Sequence, residues 1–211
     1  MANITTLWDS KKEDEWHSAL GNYWNYVMPN HVEIEKEFYA LNSDTVKEMN
    51  PKEWYEFLLK KYFFWKYTAP NRYATTTANL KKYESIPSGF DQLFKVKQEI
   101  FDFDKEDIAY GLKIANEIKG LGTAGASGLL AVLFPLDFGT VDQFAVKSLF
   151  CVDSLQENTP ISLMNPEQLK LKDAIILITI MRHKAAELNN IFMTTFWTPR
   201  KIDMILWSVN R

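Results

Sequence analysis

The residues best placed to do chemistry lie between Lys119 and Val146. Lys119-Gly120-Leu121-Gly122-Thr123 is a glycine-rich turn. Glycines there let the backbone take conformations closed to other residues and let a second backbone come near. A helix starting after this turn leaves its first amides without internal partners and aimed outward, a site suited to phosphate. Farther on, Gly139-Thr140-Val141-Asp142-Gln143 places a carboxylate at the head of another helical stretch, eighteen positions after Ala124. Taken alone, such an Asp is a helix N-cap.

The flanking patterns say what must position these groups. Ile108, Leu112, Ala115 and Ile118 recur at three- and four-residue steps before the turn, and Ala126, Leu129, Leu130 and Leu133 do so after it. Both are single apolar faces of helices. The same letters, Gly120-Leu-Gly122-Thr-Ala-Gly125, also spell GxGxxG. A dinucleotide site needs a strand before that motif and an acidic residue ending a second strand about 20 residues later. Here a helix precedes it, and neither Asp137 nor Asp142 ends an apolar strand. An oxidoreductase reading is therefore disfavoured, and no nucleotide cofactor is expected.

The run I-K-G-L-G-T-A-G-A, a helix, a Gly/Pro-containing loop and then V-D-Q-F-A-V resembles the helix-hairpin-helix DNA glycosylase superfamily, the relatives of endonuclease III. The resemblance implies an all-α fold of two packed helical subdomains with the active site in the cleft between them. It spans 1–211 as one compact unit, with the hairpin at about 107–134 and the catalytic loop and helix at about 137–150. It also implies that Asp142 is the catalytic carboxylate, stabilising positive charge that develops on the sugar and orienting or deprotonating water. Gly120, Leu121, Gly122, Thr123 and Ala124 would grip double-stranded DNA. Asn71 and Arg72 would lie where the family carries its wedge, and Trp65, Lys66, Tyr67 and Gln143 would line the base pocket. Family members that also cut the strand carry a lysine where Ala124 stands; alanine cannot form a Schiff base, so the implied activity is monofunctional base removal by water. The hairpin carbonyls of the family often hold a monovalent cation such as K+ or Na+. The base could be a damaged purine or a modified pyrimidine, in repair or in defence against phage DNA. A second reading keeps the hairpin as a non-catalytic DNA-binding module in which Asp142 only caps its helix.

Composition sets the bounds. The 211 residues are 46% hydrophobic and 24% charged, ordinary for a globular chain long enough to bury a full core. The single cysteine, Cys151, excludes internal disulfides and a cysteine cluster, and the three histidines have no metal-ligand spacing, so no metal is expected from side chains. The longest apolar run, Ala174–Met181, is too short to span a bilayer. The N-terminus turns charged too early for a signal peptide, which predicts a cytoplasmic monomer without a membrane partner. The net charge of −3 argues mildly against nucleic acid. Residues 1–48, with nine acidic and four basic side chains, hold more than all of that negative charge, which leaves phosphate contacts to the rest.

In chain order, helices are expected over 11–28 (stopped by Pro29), 31–40, and from Asn50-Pro51 into 54–67. That last segment has eight aromatics in fourteen positions and reads as buried centre, its far end free to stack on an extruded base. A loop over 68–78 should feed the next helix. Further helices follow at 88–99, 104–118 with Asp104 as cap, and 142–150. A loop over 152–166 precedes a helix at 167–189, where β-branched residues leave a strand as the alternative. Thr198-Pro199 opens the last helix. Arg200 and Lys201 fall in its first turn, where the dipole disfavours cations, so a phosphate partner is expected for them.

Overall fold

A computed structural model describes residues 3–209. Every regular element among them is helical, and none is a strand. The chain opens with α1 (Ile4–Leu7), α2 (Glu13–Tyr23), a 3-10 turn at Pro29–His31, α3 (Val32–Tyr39) and α4 (Ser43–Lys47). The aromatic segment is α5 (Pro51–Phe57) and α6 (Phe63–Lys66), joined through a π-helical stretch at Leu58–Tyr62. Asn50 starts it with a full capping box: its side chain accepts from the Lys52 and Glu53 amides, and the Glu53 carboxylate accepts from the Asn50 amide. Then come α7 (Pro70–Leu80), α8 (Gly89–Asp102), α9 (Ile108–Ala115), α10 (Thr123–Leu133), α11 (Gln143–Phe150), α12 (Asn158–Ser162), α13 (Leu171–Ile191) and α14 (Pro199–Ser208).

The differences from the sequence reading have local causes. Residues 68–78 are not a loop: Pro70 takes the first position of α7, so Asn71 and Arg72 sit in a helical turn. The helix expected from 104 starts at Ile108, because Asp107 accepts from the Tyr110 amide at 2.9 Å and Asp104 closes a turn onto Glu106 instead. Asn165 likewise turns onto the Glu167 amide, and α13 begins only at Leu171. The β-branched run 175–180 is helical, its Leu177, Ile178 and Ile180 buried in a two-sided core where packing outweighs propensity.

Helix α10 is the centre of the packing. Every residue from Gly125 to Leu133 is buried, as a helix enclosed on all sides must be. It packs on α9, α13 and α14, while α14 also packs on α2 and α11. The aromatic helix lies over α10 through close approaches at two glycines. A Cβ on Gly125 would fall 2.5 Å from the Tyr67 hydroxyl, and one on Gly128 would fall 2.8 Å from the Tyr62 hydroxyl. Tyr62 donates to the Gly125 carbonyl.

Candidate active site

The turn between α9 and α10 closes on its own surroundings. Gly120 has φ +96°, and a Cβ there would meet the Thr76 carbonyl at 2.4 Å, so both its conformation and its neighbour require glycine. Its carbonyl accepts from the Tyr67 hydroxyl at 3.1 Å, Ile118 from the Leu121 amide at 3.0 Å and Gly122 from the Ala126 amide at 2.8 Å. Each of these carbonyls keeps a second lone pair for the monovalent cation that the family resemblance implies, and no step below passes through an ion.

Asp142 caps α11, its Oδ1 accepting from Phe144 and Ala145 amides at 2.8 and 3.0 Å. Oδ2 takes no hydrogen bond among the described residues, and the side chain is half-buried on the wall of a cavity of about 740 Å³. Two buried groups fix the loop that carries it. The Thr140 amide donates to Asp203 Oδ2 at 2.6 Å, and the Val141 amide donates to Ser127 Oγ at 3.0 Å. Asp142 is thus held from α14 and from α10 together.

The turn residues Gly120, Gly122, Thr123 and Ala124 border this cavity, and so do Trp65, Lys66 and Tyr67 from the end of the aromatic helix. Gln143, Arg72 and Arg200 complete the expected residues found there. Leu121, Asn71 and Lys201 do not line it. Leu121 packs against the core, and Asn71 is exposed. Lys201 donates to the Phe196 carbonyl at 2.8 Å with its amine over that ring, so its charge is spent inside the protein.

Arg200 requires a correction. Its guanidinium is 2.8 Å from Glu35 and 2.6 Å from Asp203, and all three side chains are nearly enclosed. Two protein carboxylates, rather than a phosphate, offset the cation in the first turn of α14. Glu35 also accepts from Trp65 Nε1, and Arg200 lies over the Trp65 ring at 5.3 Å. Burial depresses the Arg200 pKa, but Asp203, Tyr23 and Glu35 outweigh it and the net shift is upward. Asp203 is pushed up to about 7 by burial, against the pull of Arg200 and the Thr140 amide.

Lys66 differs from Arg200. Its amine makes no hydrogen bond or ion pair among the described residues, only a 5.8 Å approach to the Trp65 ring. Burial pushes its pKa down to about 8, with Asp142 as the largest opposing influence. Sequence reasoning missed further wall residues, among them Tyr23, Glu35, Asp203 and Trp207. The Tyr23 and Trp207 rings are 5.2 Å apart, and Trp207 lies 6.2 Å from Phe144, which makes an aromatic side to the cavity. Asp203 had a signal, an acid three positions after Arg200. Glu35 had none, sitting in an acid-rich stretch that reads as solvated.

No protein-family model, curated protein or solved structure matches the chain.

Proposed function

We propose that the protein is a monofunctional DNA glycosylase of the helix-hairpin-helix kind, which draws a damaged or modified base out of double-stranded DNA and hydrolyses its N-glycosidic bond. The observation that carries this reading is the joint placement of Asp142 and the glycine turn on one cavity. A turn that leaves Thr123 and Ala124 at a helix start suits a DNA phosphate. A carboxylate with one oxygen committed to its cap and the other available suits an oxocarbenium-like centre and its attacking water. The aromatic side and the polar groups above it suit an extruded base. Breaking the bond sends the electron pair to the base, water joins the sugar, and Asp142 takes the water proton.

The test needs no knowledge of the base. The protein is incubated with genomic and phage DNAs of differing modification, and released bases are identified by mass spectrometry. The reading predicts a free base from at least one DNA, with alkali-labile abasic sites in the same sample. DNA binding without release from any of them would favour a non-catalytic hairpin module instead.

A further inference from the structure

The loop that carries Asp142 has no ladder of its own: Gly139, Thr140 and Val141 make no backbone-to-backbone hydrogen bond among the described residues. It is held instead by its neighbours. An added Cβ on Gly139 would come within 2.8 Å of the Pro199 carbonyl, so the chain lies against the start of α14. The Thr140 amide donates to Asp203, from that same helix. The Val141 amide turns the other way and donates to Ser127 Oγ at 3.0 Å, while the Ser127 hydroxyl donates to the Ala124 carbonyl at 3.1 Å. Ser127 and Val141 are both fully enclosed, so water cannot stand in for either bond. Among the described residues this hydroxyl makes the one hydrogen bond that joins α10 to the 139–142 loop. One of its partners is in the first turn of α10, and the other is the residue before Asp142.

From this geometry we infer that Ser127 is a positioning residue, whose hydroxyl sets the spacing between the turn that grips the DNA backbone and the carboxylate that faces the sugar. The inference rests on the glycosylase reading, because that reading supplies the phosphate and the sugar. A phosphate seated on the Thr123 and Ala124 amides fixes the first turn of α10. Ser127 passes that position to the Val141 amide, and Asp142 follows one residue later. The phosphate and the sugar are joined covalently, so their spacing is the same whichever base is attached. A carboxylate held at the matching spacing meets the sugar and its attacking water when the backbone is seated. Ser127 itself touches no DNA and takes no proton; it acts through Asp142. Such placement matters steeply, because a shift of about 1 Å can cost on the order of a hundredfold in rate. Asp203 holds the loop independently from α14, so loss of the Ser127 hydroxyl should loosen the carboxylate without releasing the loop.

The experiment compares the full chain with Ser127→Ala on the DNA from which wild type frees a base. Release is timed in a single turnover with protein in saturating excess. Affinity for a short fluorescent duplex is measured separately by anisotropy, and thermal unfolding checks the fold of each protein. Ser127→Ala should release base about ten- to a hundredfold more slowly, with its duplex affinity unchanged. Ser127→Thr keeps the hydroxyl and should recover most of that rate. Wild-type release by a folded Ser127→Ala protein, or a loss of affinity in place of a loss of rate, would overturn the inference and leave base release standing. A folded Ser127→Thr protein as slow as Ser127→Ala would make packing, not the hydroxyl, the cause and would overturn it too. Absence of base release by wild type on every DNA would instead bring down the glycosylase reading, and this inference with it. If Ser127→Ala does not fold, Ser127→Cys takes its place: sulfur is a weaker acceptor, so slower release at unchanged affinity is again expected, and wild-type release again overturns the inference.

Discussion

At the scale of single residues, the site sorts its charges by whether they are already spent. Arg200 and Lys201 were legible as cations in a first helical turn, but the sequence held no sign that Glu35, 165 positions earlier, would engage Arg200. Asp142 was legible as a cap, and the two amide bonds to Oδ1 make it one. Lys66 needed the fold to stand out, because only the fold shows that no carboxylate among the described residues binds its amine. Burial pushes its pKa down to about 8, while Asp142, Asp203 and Glu35 raise it and Arg200 lowers it.

At the scale of elements, the helices and their punctuation were largely readable. Pro51 and Pro199 each open a helix where expected, with Asn50 and Thr198 as the side-chain caps. The π stretch at Leu58–Tyr62 was not readable, since its sequence has no breaker; in the fold its Tyr62 donates to the Gly125 carbonyl. Nor was the tie between α14, α3 and the loop of Asp142, which runs through Arg200 and Asp203. Removing the cation would leave Glu35 and Asp203 buried without it. Arg200→Ala should therefore cost about 3–5 kcal/mol in chemical denaturation, the penalty for breaking a buried ion pair from one side. A loss of DNA affinity at unchanged stability would restore Arg200 as a phosphate contact.

At the scale of the molecule, an all-helical chain gathers groups from seven of its α-helices and the loops between them around one cavity. The helix patterns made the all-α class legible, whereas the cavity wall was not, because Tyr23, Glu35, Asp203 and Trp207 come from opposite ends of the chain. Among the described residues no helix is long and apolar enough to cross a membrane. What the molecule does with its cavity turns on whether Asp142 is more than a cap, and Asp142→Asn separates the two roles. Asparagine caps a helix about as well as aspartate, so stability should change by less than about 1 kcal/mol. It supplies no negative charge to the sugar, so base release should fall by about a hundredfold or more while duplex binding stays within a few-fold. Base release at the wild-type rate by a stable Asp142→Asn protein would contradict the assignment of this cavity as the active site.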